Sequence, residues 1–329
     1  MEKIFYIIDA INTTHSITET AGILHLTVPA VSMALKKEEE LIGFNLVDRQ
    51  AKPMVLTEAG AVYLRYFHKT RMLGDDLKRE LMDLQEGDSG IIRLGGTQYI
   101  NSFYLPSVMS EFSRMYPGIK FDLKEDSADN IRQALESGEI DLCISSAPYD
   151  EDKYEGHLAF CDEILLAIPK SIKLKDKLRK FALTNKDLKK GVYGYKQGKA
   201  PALSEFMELN FMLLSEKNDL YRRCMKFFKS DGLKVNPILK PDQMVTACYL
   251  ADAGLGATFV SDRLLRQIQP ANLVYFRLNQ KNSIREFRVL LSKKHYRSKA
   301  TELFIENLQS LSSADSNDNK KICSYEGEE

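Results

Sequence analysis

Few residues in this chain stand at spacings that support covalent or metal chemistry. His15, His25, His68, His157 and His295 are scattered, and no HExxH run exists to place two imidazoles on one helix face. Cys143, Cys161, Cys224, Cys248 and Cys323 show no CxxC spacing and read as buried free thiols of a reducing compartment. No GxSxG elbow presents a serine nucleophile. Gly194-Tyr195-Lys196-Gln197-Gly198-Lys199-Ala200 looks like a phosphate loop only in outline. It is one residue short between its glycines and has Ala200 where a hydroxyl should reach magnesium. Gly254-Leu255-Gly256 lacks the third glycine of a dinucleotide fingerprint, Phe259 standing in its place. No catalytic residue, metal or cofactor is expected.

One further segment stands out by its residue types, which would suit nucleic-acid contact if the local pattern is a helix-turn-helix. Thr27, Val28, Pro29, Ala30 and Ser32 open a segment that continues to Lys36 and Lys37, and Arg49 and Lys52 follow. Small and hydroxylic side chains let a helix approach a duplex closely, and the cations can pair with phosphates. The elements needed to present them are legible. Ile4, Phe5, Ile8 and Ile11 recur at helical spacing. Ser16-Ile17-Thr18-Glu19 fits a capping box that starts a second helix. After a three-residue turn, Thr27 caps a third helix with Pro29 in its first turn, ending near Gly43. Two helices joined by so short a turn form the helix-turn-helix pattern. A two-strand wing is expected around Arg49–Lys52.

The balance of charge restricts how such a surface could work. The 329 residues carry 46 Lys+Arg and 46 Asp+Glu, which argues against a polyanion binder acting through bulk positive charge. Residues 1–73 are themselves neutral, with eight basic and eight acidic side chains, although none of the acids lies between Thr27 and Lys37. Few phosphate contacts and a shallow salt dependence are therefore expected. Asp9 interrupts the first apolar patch, and the most apolar later stretch holds Asp252 and glycines. Neither a signal peptide nor a membrane span is expected, and a cytoplasmic protein is.

Beyond Thr57-Glu58, residues to Glu86 read as one long helix whose Tyr66, Thr70, Leu73, Leu77, Leu81 and Leu84 form a pairing seam. Gly87-Asp88-Ser89-Gly90 is a linker. Strands and helices then alternate. Strands are expected at 91–95, 119–123, 140–145, 164–168, 211–214, 257–260, 273–278 and 287–291, and helices at 101–115, 127–138, 218–232, 245–254 and 298–311. That order predicts a mainly parallel sheet covered by helices. Residues 312–329 lack apolar periodicity and are expected to be disordered.

These segments carry a resemblance. The stretch from Ser16 to Ser32, followed by Gly43, Leu46, Arg49 and Val55-Leu56-Thr57-Glu58-Ala59-Gly60, resembles the DNA-binding part of LysR-type transcriptional regulators. Leu105-Pro106, Phe112, Tyr116-Pro117-Gly118, Gly138-Glu139-Ile140-Asp141-Leu142 and Gly254-Leu255-Gly256 resemble the effector domain of that family, and the match runs to about residue 311. The resemblance implies an α/β protein with a winged helix-turn-helix over residues 1–56 and a dimerising linker helix over 57–86. A two-lobed, periplasmic-binding-protein-like effector domain would follow, with lobe I at 91–163 and 267–311 and lobe II at 164–266. It also implies double-stranded operator DNA, a small-molecule effector, a homodimer or homotetramer, and RNA polymerase as partners.

Positions matching effector contacts in the family are Thr97, Tyr99, Ser127, Ser146, Ser215 and Gln243. Hydroxyls beside helix-start amides suit a carboxylate or another small anion, although Thr97, Ser127 and Ser215 serve equally as helix caps. The chain also departs from the family. Val28, Met33 and Ala34 replace long polar side chains, Glu38 an expected Leu, and Val47 an expected Phe. Val28, Met33 and Ala34 cannot make bidentate bonds to base edges, whereas thymine-methyl contact stays open to Val28, Ala30 or Ala34. The competing reading is a small-molecule-binding protein whose degenerate DNA module acts through partner chains.

Overall fold

The computed structural model describes residues 2–84, 89–189, 200–280 and 282–314. The phosphate-loop-like run at 194–199, residues 87 and 88 of the linker, and residues 315–329 lie outside them. The chain divides into two units, Met1–Leu81 and Met82–Glu329.

In the first unit, α1 (Glu2–Thr14) buries Ile4, Ile7, Ile8 and Ile11 on one face. Ser16 accepts the Glu19 amide at 3.3 Å and starts α2 (Ile17–Ile23). The chain turns through His25, whose φ of 52° lies in the left-handed region. Thr27 accepts the Ala30 amide at 3.3 Å and caps α3 (Val28–Ile42), which ends at Gly43 with φ 74°. Only a residue without Cβ adopts that φ at no cost. β1 (Val47–Asp48) and β2 (Val55–Leu56) pair antiparallel as the wing. Val31, Leu35, Leu46, Val47, Leu64 and Phe67 join the α1 isoleucines in one core.

Glu39 ties the wing to α3. Its Oε1 accepts the amides of Leu46 at 2.8 Å and Val47 at 3.3 Å, and its Oε2 accepts Arg49 Nη2 at 2.7 Å. The acidic run Glu38–Glu40 at the C-terminal end of α3 thus contains one buried strut. Thr57 caps α4 (Glu58–Asp83) by accepting the Gly60 amide at 3.0 Å. A Cβ on Gly60 would come within 2.0 Å of the Leu46 carbonyl oxygen, so α4 can approach the wing only with glycine there. Further along α4, Tyr66, Leu73, Leu77 and Leu81 are more than half exposed in the single chain.

The second unit is built on an eight-stranded sheet. β3 (Gly90–Gly96) pairs in parallel with β4 (Ile119–Glu125) and β5 (Leu142–Ser145). α5 (Gln98–Phe103), α6 (Leu105–Met115) and α7 (Ala128–Glu136) lie between these strands in sequence. The single helix expected over 101–115 is two, because the chain breaks at Tyr104, just before Leu105 and Pro106 begin α6. β6 (Tyr154–Pro169) is 16 residues long. Two short helices, α8 (Asp176–Arg179) and α9 (Asn185–Lys189), follow it, then β7 (Phe211–Met212), α10 (Asp219–Ser230), α11 (Met244–Asp252), β8 (Ala257–Ser261), α12 (Asp262–Ile268), β9 (Leu273–Phe276), β10 (Ile284–Ser292) and α13 (Lys299–Ala314).

The sheet is mixed rather than mainly parallel. β10 runs antiparallel to both β5 and β6, and β6 runs antiparallel to β8 and β9. These long strands join the two halves of the unit, which strand–helix–strand counting does not reveal. β6 pairs with β10 up to Glu163 and with β8 from Ile164 onward. β9 pairs with the second half of β6. The chain crosses back between Phe276 and Ile284. Cys143, Cys224 and Cys248 are buried free thiols, whereas Cys161 is disulfide-bonded, contrary to the free-thiol expectation. Among the described residues no helix is long and apolar enough to cross a membrane.

Replacing Glu39 with Ala should strand the Leu46 and Val47 amides without acceptors and cost the first unit about 2 kcal/mol. Hydrogen exchange at those two amides should quicken accordingly. Unchanged protection would show that Glu39 is not the strut described.

Candidate DNA-reading surface and effector cavity

α3 turns Val31, Leu35 and Glu39 inward. Thr27, Val28, Pro29, Ala30, Lys36 and Lys37 are exposed, and Ser32 is half-buried. Lys52 is exposed in the wing. Arg49 is partly committed, since Glu39 holds one end of its guanidinium, and Lys36 lies 3.7 Å from Glu40. The surface therefore offers a helix N-terminus, two hydroxyls and four cations, two of which have carboxylate neighbours. Such a set fits a polyanion at short range and exerts little pull at long range.

The second unit contains a cavity of about 430 Å³. Thr97, Tyr99, Ser127, Ser146, Ser215 and Gln243 all line it, although they come from five separate parts of the sequence. The fold explains this convergence. Thr97 follows β3 and starts α5, Ser127 starts α7 after β4, and Ser146 follows β5. Gln243 starts α11, and Asn218, another lining residue, starts α10. The strand ends and helix starts thus meet where open α/β sheets hold ligands. Gly95 and Gly96 allow the turn from β3 into α5, because a Cβ at either would collide with Ile140 or Asn101 at under 2.5 Å.

The six residues differ in what they offer. Ser127 Oγ accepts the Asn130 amide at 3.3 Å, and so serves partly as a cap. Thr97 and Gln243 make no capping bond with their side chains. Tyr99 contributes its ring to the wall, but its hydroxyl is engaged. It donates to Asp162 Oδ2 at 2.9 Å and lies 2.9 Å from Ser261 Oγ. Burial pushes the Tyr99 phenol well up, and the neighbouring Asp162 charge adds to that, so it stays protonated. Tyr99 thus lines the cavity with its hydroxyl already bonded within the protein.

Sequence reasoning missed the charged floor beneath Tyr99. Arg285, on β10, donates to both oxygens of Asp162 at 2.8 and 2.5 Å, and both residues are buried. Its guanidinium also sits 4.8 Å from the Phe287 ring centroid. Burial alone would lower the Arg285 pKa, but Asp162 more than compensates and keeps it cationic. Next in sequence, Glu163 accepts Arg277 Nε at 2.7 Å, and burial pushes its carboxyl up to about 7. The one sequence signal was a charged doublet, Asp162-Glu163, immediately before an apolar run. At the cavity rim the Ser127 amide, with help from Asn130, holds the Asp126 carboxyl below its ordinary range. Cys143 in the wall is pushed up to about 12 by burial and supplies no thiolate. Ile131, Leu135, Tyr149, Tyr154, Phe287 and Leu290 supply apolar and aromatic lining.

Asp162→Asn should leave the Arg285 charge buried without a counter-ion and destabilise the second unit by about 3–5 kcal/mol. Tyr99→Phe keeps the ring and should cost only about 1 kcal/mol. Thermal unfolding of the two variants distinguishes them, and equal, small losses would contradict the assigned hierarchy.

The model of the LysR substrate binding domain matches residues 85–190 and 193–312. The model of the bacterial regulatory helix-turn-helix protein, lysR family, matches residues 4–61. A probable RuBisCO transcriptional regulator of Trieres chinensis is 26% identical over 314 residues, which is 93% of this chain and 95% of that protein. The uncharacterized HTH-type transcriptional regulator YcgK of Bacillus subtilis (strain 168) is 25% identical over 293 residues, 88% of each chain. Full-length CbnR complexed with target DNA aligns with a TM-score of 0.64 at 17% identity, over 94% of this chain and 98% of that one. Full-length BenM aligns with a TM-score of 0.56 at 19% identity, over 96% and 97%. The structural likenesses bear on fold, and the two family models, which together span most of the sequence, bear on identity. The chain belongs to the LysR family: it is a transcriptional regulator with an N-terminal helix-turn-helix and a two-lobed effector-binding domain, and not an enzyme.

Proposed function

We propose that this regulator binds a palindromic operator as a homodimer or homotetramer, with α3 in the major groove and the wing on the backbone. Thr27, Val28, Pro29, Ala30 and Ser32 face the bases, and Lys36, Lys37, Arg49 and Lys52 face phosphates. The apolar seam of α4 supports assembly, since Tyr66, Leu73, Leu77 and Leu81 stay more than half exposed among the described residues. The effector binds in the cavity of the second unit and biases the arrangement of the two halves joined by β6 and β10. Such coupling amounts to about 1–3 kcal/mol between effector and operator. We propose a small carboxylate or similar anion on an apolar body. Thr97, Ser127, Ser146, Ser215 and Gln243 receive the polar group, and Ile131, Tyr149, Phe287 and Leu290 receive the body. RNA polymerase is the further partner in this reading.

The observation that carries the proposal is the convergence of helix starts and hydroxyls on a single cavity of about 430 Å³ with apolar and aromatic lining. Formal charges along that cavity nearly balance, so anion preference rests on the amides and hydroxyls. Gel-shift titration against the DNA upstream of the chain's own coding sequence tests the operator half of the proposal. Binding should exceed that to random duplex, and Lys36→Ala with Lys37→Ala should weaken it. Each lysine removed should flatten the plot of log affinity against log salt by about 0.9 per engaged surface. Equal binding of the two duplexes, or no effect of the lysines, would favour a module that has lost DNA readout.

A further inference from the structure

Met33 occupies the centre of the outward face of α3. It follows Ala30 by three residues and Pro29 by four, and precedes Lys36 by three and Lys37 by four, so all five share one side of the helix. The opposite side is the buried one, with Val31, Leu35 and Glu39. Met33 is 71% exposed and makes no contribution to the core of its unit. Val28, at the helix tip, is 40% exposed. Lys36 and Lys37 flank this apolar patch, and no acid lies between Thr27 and Lys37. The patch thus sits inside the cationic edge of a surface that belongs to a DNA-binding family.

Bidentate reading of a base edge needs a guanidinium, an ammonium or an amide. From Val28 to Leu35 the helix carries none of these. The hydroxyls present are those of Thr27, which already accepts the Ala30 amide, and Ser32, which is half-buried. The major groove exposes one apolar feature, the C5-methyl group of thymine. We propose that Met33, assisted by Ala30 and Val28, reads thymine methyl groups by apolar contact, so that the half-site is selected for T at defined positions instead of by bidentate hydrogen bonds. A flexible thioether chain is suited to covering a methyl whose position varies slightly with local DNA shape. The inference rests on the reading of α3 as the element that enters the major groove.

The test starts by selecting duplexes from a random-sequence library with the full-length protein. The central thymidines of the enriched half-sites are then replaced, one at a time, by deoxyuridine, which removes the methyl and preserves pairing. Affinity should fall about fourfold for each methyl that is contacted, equivalent to about 0.8 kcal/mol. Met33→Ala should bind the thymidine duplex more weakly and lose its sensitivity to deoxyuridine at one position. Lys37→Ala should weaken both duplexes equally. Because Met33 is exposed, the alanine variant should keep the wild-type melting temperature, and that measurement excludes misfolding. Enriched sites that tolerate deoxyuridine everywhere would overturn the methyl-reading inference while leaving operator binding intact. A library in which no sequence is enriched would overturn operator recognition itself.

Discussion

A charge removed from water must find a counter-charge within the protein, and the second unit is organised around one such requirement. Asp162 and Arg285 are buried together where β6 passes from one half-sheet to the other. Tyr99 closes over the pair and forms cavity wall at the same time. Glu163 with Arg277 repeats the arrangement one residue on. An ion pair of this kind adds little net stability over an apolar pair of the same volume. It does fix registry, because a slip of one residue in β10 would separate Arg285 from Asp162 and expose both to an apolar interior. The cavity owes its shape to that registry, since Arg285 and Phe287 reach it from the same strand.

The first unit solves a smaller version of the problem with Glu39. One carboxylate satisfies two backbone amides and one guanidinium at the base of the wing. In doing so it takes up part of Arg49, a cation otherwise available to phosphate. Stability and affinity draw on the same side chain here, which is one reason the neutral charge of this module has mechanical meaning. Lys36, Lys37 and Lys52 remain exposed at the surface.

The elements of the first unit were legible in the sequence because each is set locally. Ser16, Thr27 and Gly43 act within their own helix turns, and the apolar period of α1 is complete over four residues. The cavity residues Thr97, Ser127, Ser146, Ser215 and Gln243 were legible through family resemblance, as ends of strands and starts of helices. The charged floor was not. Arg285 and Asp162 are 123 positions apart, and no spacing rule connects them. The length of β6 was hidden for another reason. A strand buried on both faces loses its alternation, so residues 164–168 read as a short apolar run, and the charged doublet Asp162-Glu163 masked the strand before it. The mixed sheet followed from the same omission.

If copies pair through the exposed seam of α4, as proposed, the protein comes under mass action. Tyr66, Leu73, Leu77 and Leu81 are more than half exposed among the described residues, and a helix that covers them by pairing has a state that depends on how many copies share the volume. Ligand-like stabilisation of this sort grows with the logarithm of protomer concentration and needs no effector. The abundance of the protein is therefore itself an input to its conformation, alongside whatever occupies the cavity.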